Sequence, residues 1–218
     1  MTTLLHEPAV MRAGDALWNP LTGEKSLVLE SPADNGGARI VVDFGVEAGG
    51  FVPGGEHVHD GCSEHLEVRA GRIACTLEGD EHVLGPGDTI TFPAGAWHDW
   101  RNAGEEEVLI RATVEPALRL QEALMIVWGL CADGRTDARG RPPLLVGALL
   151  ATRYRRELRF REPPEPVQRL LFGPLAALAE RRGVDRMLDR YRDPATHPSA
   201  HPGLGRLPER VTTRATTS

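Results

Sequence analysis

Short runs of strand-forming residues, separated by glycine-rich turns, fill the first 115 residues and constrain the fold more than any other feature of the sequence. The turn signals are Asp34-Asn35-Gly36-Gly37, Gly54-Gly55, Glu78-Gly79-Asp80, Gly85-Pro86-Gly87-Asp88 and Asn102-Ala103-Gly104. The runs with the length of strands are 26–30, 38–46, 65–68, 73–78, 88–93 and 108–114. Because Gly, Asn, Asp and Pro permit the tight reversals that join antiparallel strands, this spacing predicts a β-sandwich or a β-barrel.

The character of the sequence changes at Pro116, after which Leu, Ala and Arg replace the β-branched residues. Leu120, Leu124 and Val127 fall on one face of a helix that Pro116 would start and the Asp133-Gly134 turn would end. Further helices are predicted over 144–159, over 167–182 and from there to Tyr191. We expect their apolar stripes to pack on the outer face of the barrel or across a dimer interface, with a lid over the barrel mouth as the alternative.

The predicted organisation therefore has three parts. Residues 1–115 form a β-barrel domain, and residues 116–192 form a helical extension. Residues 193–218 are rich in Pro, Thr, Gly and His and lack any hydrophobic period, so they are predicted to be a disordered tail.

Composition excludes two classes of partner. The net charge is −6, with 25 Lys and Arg against 31 Asp and Glu, so the chain has no excess of positive charge for a nucleic-acid backbone. The longest apolar run, 144–151, is too short to span a bilayer. The three cysteines form no Cys-x-x-Cys pair and residues 1–14 have no apolar core of a signal peptide, so a reducing, cytoplasmic location is expected.

Four potential metal ligands occur in two groups, His57-x-His59 with Glu64 after it, and His98 further along the chain. Residues i and i+2 of a strand point to the same side, so His57 and His59 can present their imidazoles to one point, and a carboxylate from the next strand can join them. Imidazole and carboxylate together suit Fe, Mn, Ni, Cu, Co or Zn. The predicted cofactor is one such divalent transition-metal ion.

Three further residues are candidates for the wall of a substrate pocket. Trp100 and Asn102 have the same parity as His98, so they point into a barrel if His98 does. Cys75 lies in a strand that crosses the predicted barrel, and the sequence leaves open whether its side chain faces the cavity or the opposite surface of the sheet.

These residues carry a family resemblance. Residues 87–102 read Gly-x5-Pro-x-Gly-x2-His-x3-Asn, and residues 57–71 read His-x-His-x4-Glu-x6-Gly. Both patterns resemble the two sequence motifs of the cupin superfamily, and the chain is similar to small bacterial cupins in which one barrel is followed by a Leu-rich helical tail. It departs from the first motif at Phe51, where the family has glycine six residues before the first histidine.

The resemblance implies an antiparallel jelly-roll β-barrel followed by C-terminal α-helices. It also implies a metal ion held inside the barrel by His57, His59, Glu64 and His98, with one or two coordination positions left for water, substrate or oxygen. In oxygen-cleaving cupins the glutamate has a second role, in which it takes a proton from the substrate, and this makes Glu64 the candidate catalytic residue.

Three functions remain open at this point. The first is a quercetinase-like dioxygenase, an oxidoreductase that acts on a small organic molecule. The second is a non-redox isomerase, cyclase or lyase in which the metal acts as a Lewis acid. The third is a non-catalytic module that binds a small molecule. For each of them a homodimer is expected, because cupin barrels commonly pair through an exposed sheet edge and the helical tail offers apolar area.

Overall fold

A computed structural model describes residues 11–197 of the chain and contains, within that range, two β-sheets and four α-helices. The strands are β1 (Ala16–Asn19), β2 (Glu24–Glu30), β3 (Ile40–Val46), β4 (His57–Val58), β5 (Ser63–Ala70), β6 (Ile73–Leu77), β7 (Asp80–Leu84), β8 (Thr89–Phe92), β9 (His98–Asn102), β10 (Val108–Glu115) and β11 (Arg159–Phe160). The predicted runs therefore form strands, with ends that shift by a few residues.

The strands form a jelly roll, as predicted. One sheet has the order β1-β2-β3-β10-β5-β8 and the other the order β11-β4-β9-β6-β7, and all strand pairs are antiparallel. Several neighbouring strands are distant in sequence, such as β3 and β10 or β4 and β9, which is typical of the Greek-key connectivity of a double sheet. This order places β4 and β9 side by side in one sheet and β5 in the other, and these are the strands around the predicted ligands.

Alternation along β10 defines the inside of the barrel. Val108, Ile110 and Ala112 are buried, and the intervening Arg111 lies on the other face, where its guanidinium binds Asp43 of β3 through two hydrogen bonds of 2.7 and 2.9 Å. The same period on β5 points Glu64 inward together with two buried apolar side chains. Glu64 therefore lies in the interior of the barrel.

The helices are α1 (Leu120–Ala132), α2 (Leu144–Arg153), α3 (Glu165–Arg181) and α4 (Val184–Leu188), and a 3-10 helix follows over Asp189–Arg192. Helix α1 begins four residues after Pro116, where the sequence had predicted its start. Helix α2 ends well before the predicted residue 159 because the chain needs an extended conformation at β11, which pairs with β4. None of the helices in residues 11–197 combines the length and apolar character needed to cross a bilayer.

Helix α1 lies against the inner face of the six-stranded sheet. The sequence analysis expected the helices on the outer face of the barrel or across a dimer interface, with a lid over the barrel mouth as the alternative. Trp128 of α1 contacts Phe44 of β3 edge to face, with ring centroids 6.1 Å apart, and Leu120 packs in the same cluster as Val42. Val42 and Phe44 have the inward parity of β3, opposite to Asp43. The five-stranded sheet does not cover this part of the interior, so the apolar side chains of α1 cover it.

Part of the predicted tail falls within the described residues. Pro194–Thr196 form a single 3-10 turn, in which the Asp193 carboxylate accepts a hydrogen bond from the backbone N–H of Ala195. Nε2 of His197 lies 2.8 Å from the carbonyl oxygen of Tyr191. The rest of the predicted tail, 198–218, lies outside the described residues.

Candidate metal centre

The structure brings the four predicted ligands together in the barrel interior. One ligand atom from each of His57, His59, Glu64 and His98 can be chosen so that all four lie within 4.8 Å of one another, and all four residues are buried. His57 and His59 come from β4 and the residue after it, Glu64 from β5 and His98 from β9, directly opposite His57 in the sheet. The group can hold one metal ion.

The three histidines are oriented by their backbone contacts. Nδ1 of His57 lies 3.0 Å from the carbonyl oxygen of Gly55, Nδ1 of His59 lies 2.6 Å from that of Glu157, and Nδ1 of His98 lies 2.9 Å from that of Ala96. A carbonyl oxygen can only accept, so each Nδ1 carries the proton and each Nε2 has a free lone pair. This is how metal-binding histidines are usually held.

The Nε2 atoms point toward the Glu64 carboxylate. Oε2 of Glu64 lies 3.7 Å from Nε2 of His59 and 3.5 Å from Nε2 of His98. Nε2 of His98 is fully buried and, within the described residues, has no hydrogen-bond partner. A buried lone pair without a partner is costly, and a metal ion bound between these atoms would satisfy it.

Local packing fixes the orientation of the His98 imidazole. The Phe92 ring stacks on the His98 imidazole, with centroids 4.2 Å apart and planes 10° from parallel. Between them, Gly95 has a φ of +85°, a conformation that side chains disfavour, and its N–H donates to the carbonyl oxygen of His59 over 2.9 Å. The turn of the second motif is thereby tied to the strand of the first.

The ionisation of the cluster suits a cation. Burial lowers the pKa of His57, and the neighbouring His59 and His98 lower it further. Burial alone would raise the pKa of Glu64, but the neighbouring His59 and His98 hold it well below its usual range. Burial would lower the pKa of His59, but the Glu64 carboxylate beside it raises it above its usual value. The group therefore combines a carboxylate with three imidazoles, a set of ligands typical of divalent transition-metal sites.

A cavity of about 50 Å³ adjoins the ligands, and its walls are mostly apolar and aromatic. Trp100 lines it, in the position that its parity with His98 predicts. Helix α1 forms one wall of this cavity. The lining residues are Glu24, Phe44, Val52, Pro53, His57, His59, Glu64, Trp100, Leu120, Leu124, Val127, Trp128, Leu158 and Phe160.

Neither Asn102 nor Cys75 lines this cavity in the described part of the chain. The Asn102 amide donates to the carbonyl oxygens of Val46, Glu47 and Glu106 over 2.7–3.1 Å, so its side chain holds neighbouring loops together. Cys75 is buried in the hydrophobic cluster that also contains Trp100, where burial raises the pKa of its thiol to about 11. The two residues thus differ from the expected pocket wall, because each belongs to the packed interior of the barrel.

Glu24 is a residue of the site that the sequence analysis missed. It is 3% exposed and lines the same cavity as His57, His59 and Glu64. Thr22 donates a hydrogen bond of 2.7 Å to its Oε2 atom, and burial raises the pKa of Glu24 to about 8. No motif includes this position, and its inward parity on β2 is the signal that could have identified it.

Comparisons with known proteins agree with this architecture. Residues 43–114 match the cupin domain family Cupin_2. No curated protein sequence matches the chain.

Among solved structures, a sugar phosphate isomerase of the cupin superfamily from Silicibacter pomeroyi is 26% identical over 44% of this chain and 60% of that chain, with a TM-score of 0.35. KdgF from a Halomonas species is 19% identical over 43% of this chain and 79% of that chain, with a TM-score of 0.36. The nucleoside dehydratase Pac13 is 19% identical over 50% of this chain and 82% of that chain, with a TM-score of 0.39.

The matched segment contains β4, β5 and β9, which carry or adjoin all four candidate ligands. Both sequence motifs lie within it, and so does most of the double sheet. Residues 43–114 are therefore a cupin domain.

Proposed function

We propose that the chain is a metal-dependent enzyme that acts on a small organic molecule with an oxygen-bearing head group. The convergence of three Nε2 lone pairs and the Glu64 carboxylate at one buried point carries this proposal. Four protein ligands leave one or two positions of a five- or six-coordinate ion for a substrate oxygen atom. A bound divalent metal ion would supply Lewis acidity or, if redox-active, a site where substrate and dioxygen meet.

The leading candidate reaction is a dioxygenation of the quercetinase type, in which both atoms of O₂ enter an enol or phenol. Glu64 is the proposed proton acceptor, because its carboxylate lines the cavity where the substrate hydroxyl would bind. Trp128 lines the same cavity, and its buried indole N–H has no hydrogen-bond partner in the described chain, so it can donate to a substrate oxygen atom. Apolar walls keep water away from such a reaction.

The volume of the cavity limits the size of the substrate for this reaction. A space of about 50 Å³ beside the ligands admits a head group but not a three-ring flavonol. The proposed substrate is therefore smaller than quercetin, and the likeness to quercetinases concerns the metal ligands and the reaction type.

A second candidate, non-redox isomerisation, cyclisation or elimination, is favoured by Glu24. A carboxyl group with a pKa near 8 is protonated at neutral pH and can donate a proton across the cavity from the Glu64 carboxylate, which can accept one. A pair of this kind would move a proton between two atoms of a substrate without oxygen. Turnover under strict exclusion of oxygen separates the two candidates.

Metal analysis tests whether the four candidate ligands bind a metal ion, on which the proposal depends. We expect plasma mass spectrometry to find about one transition-metal ion per chain after purification without chelators or a nickel column, and much less in His59→Ala and His98→Ala. His65→Ala is the matched control, because His65 neighbours Glu64 but is exposed and bonded to Thr91.

The outcomes of the metal analysis are distinct. A redox-active ion leads to oxygen-uptake assays with small phenols and enols, and zinc leads to anaerobic isomerase and lyase assays. A wild-type chain that holds no metal, and takes up none on anaerobic incubation with Fe(II), Mn(II) or Zn(II), contradicts the enzyme proposal and leaves a small-molecule-binding module.

A further inference from the structure

A second, larger cavity lies beside the metal centre, between the helices and the barrel. Its volume is about 180 Å³, more than three times that of the cavity at the ligands, and its walls are predominantly apolar. Helices α1, α2 and α3 and strand β11 all contribute to it. Ala123 and Val127 come from α1, Ala148 and Ala151 from α2, and Phe172 from α3.

Three side chains form the partition between the two cavities. Val127, Leu158 and Phe160 line both of them. The Phe160 ring lies close to the metal ligands, with its centroid 6.2 Å from that of His57. A rotation of this one ring would therefore join the large cavity to the ligand cluster.

The absence of a side chain at Gly54 leaves space for the Phe160 ring of this partition. A Cβ atom at this position would lie 2.4 Å from Cε1 of Phe160, which is too close for any real contact. The Phe160 ring therefore packs directly on the backbone of Gly54, and Gly54 itself lines the large cavity.

The polar groups on the wall of the large cavity are already bonded. Tyr154 donates its hydroxyl hydrogen to Glu122 over 2.7 Å, and the Gln168 amide donates to the carbonyl oxygens of Phe160 and Pro163. Arg141 pairs with Asp137 at 3.2 Å. The cavity therefore offers an occupant apolar contact but no free charge, and such cavities bind hydrocarbon in preference to water.

We propose that this cavity is the substrate-binding pocket of the metal centre, and that it holds the single apolar ring of a monocyclic substrate whose oxygen-bearing head reaches the ligands past Phe160. The inference rests on the proposed function and adds the substrate class to it. A cavity of roughly 150 Å³ accommodates benzene, so about 180 Å³ suits one ring with a short substituent. The head group then lies in the small cavity, beside Glu64 and Trp128.

The test uses toluene as a probe of the large cavity in the full-length chain as purified. We expect toluene to bind and to raise the midpoint of thermal unfolding. Ala151→Phe places a ring in the cavity and should raise the dissociation constant of toluene by about tenfold or more. Ala177→Phe is the matched control, since Ala177 lies on the exposed face of α3 and should leave binding unchanged. If Ala151→Phe does not fold, Ala151→Leu replaces it.

A second measurement links the two cavities and separates this inference from the proposed function. In the cobalt-loaded chain, 4-methylcatechol should change the visible spectrum of Co(II) when its oxygen atoms bind the metal, and Ala151→Phe should abolish the change while it retains one cobalt ion per chain. Failure of the wild-type chain to bind cobalt overturns the proposed function. Normal cobalt binding, together with no toluene binding in wild type or equal toluene binding in Ala151→Phe, overturns the pocket.

Discussion

Glu24 gives the fold a dependence on pH that can be measured without a substrate. Burial raises its pKa from an ordinary value of 4.5 to about 8, so between these values the folded chain holds a proton that the unfolded chain releases. The contribution is fully present below about pH 4.5 and is lost as the pH rises through 8. By linkage, the free energy of unfolding should fall by up to about 1.4 kcal/mol per pH unit across this window.

The prediction is that Glu24→Gln flattens this dependence, because the amide keeps an oxygen atom for the Thr22 hydroxyl and does not titrate. Urea unfolding of the metal-free chain at a series of pH values between about 5 and 8 measures it. Glu105→Gln, at an exposed position, is the control and should follow the wild type. Parallel profiles for Glu24→Gln and wild type would show that Glu24 is ionised in the folded chain.

Asn102 is predicted to stabilise the fold and to leave metal binding unaffected. Its amide serves three backbone carbonyl oxygens, and its own Oδ1 accepts the N–H of Gly104 over 2.8 Å. Asn102→Ala leaves these buried groups unpaired, so we expect a loss of about 2–4 kcal/mol in the free energy of unfolding. The bound metal per folded chain should not change. Loss of metal from a stably folded Asn102→Ala would instead give the residue a role in the site.

At the scale of elements, the loop before β4 offers a matched pair of substitutions. Gly54 and Gly55 both have a positive φ, +86° and +79°, but a Cβ atom would clash with Phe160 only at Gly54, since nothing lies within 4 Å at Gly55. Gly55→Ala should cost about 1–2 kcal/mol of stability for the backbone alone. Gly54→Ala should cost about 1–3 kcal/mol more from overpacking.

Chemical denaturation of the two variants compares these costs directly. The Gly54→Ala chain should also show a changed environment of Phe160 and His57, visible in the chemical shifts of both rings. Equal stabilities for Gly54→Ala and Gly55→Ala would mean that Phe160 moves freely and does not hold the partition between the cavities.

The sequence predicted the elements whose cause is local. The strands follow from turn residues and alternation, and α3 follows from its apolar period and from Pro163-Pro164 before it. Strand β11 could not be predicted, because only its pairing with β4, a hundred residues earlier, keeps Arg159 and Phe160 extended. The same long-range contact ends α2 early, since it competes with the local preference of the segment for a helix.

In the candidate site, too, the residues with a local sequence signal were predicted, and the parts built by long-range contacts were not. His57, His59, Glu64 and His98 were predicted because their spacing, with the glycine and proline residues around them, resembles the two cupin motifs. The cavities were not, because α1 and β11 build them from residues with no motif. Parity with His98 predicted that both Trp100 and Asn102 would line the cavity. The Asn102 amide instead donates to backbone carbonyl oxygens of neighbouring loops, and the sequence does not reveal where those oxygens lie.

For the whole molecule, the structure places an unpaired apolar stripe on α3. Val167, Leu170, Leu171 and Leu178 are among the exposed large hydrophobic side chains, and at 100° per residue they share one helix face. The opposite side of α3 is occupied, because Ala176 and Ala179 pack in the core cluster that also contains Leu149 and Leu150 of α2. An exposed stripe of this kind is typical of a surface that pairs with another protein.

We propose that this stripe mediates the homodimer that the sequence led us to expect, with α3 of one chain against α3 of its partner. An isologous contact suits the stripe, because the same apolar side chains of the two chains can then face each other across a two-fold axis. Multi-angle light scattering should then find a dimer for the wild type and a monomer for the double variant Leu170→Glu, Leu171→Glu. That monomer should still fold, since both leucines are exposed in one chain, and its midpoint of thermal unfolding should no longer depend on protein concentration.

The alternative interface is the edge of the five-stranded sheet, where β7 has one unpaired side and Val83 is 65% exposed. Val83→Glu adds the same charge on that edge and should leave the dimer intact if α3 forms it. Dissociation by Val83→Glu, with no effect of the two leucine substitutions, would assign the dimer to the sheet edge. A monomeric wild type at concentrations of tens of micromolar would contradict both interfaces, and the stripe would then belong to contacts with a different partner.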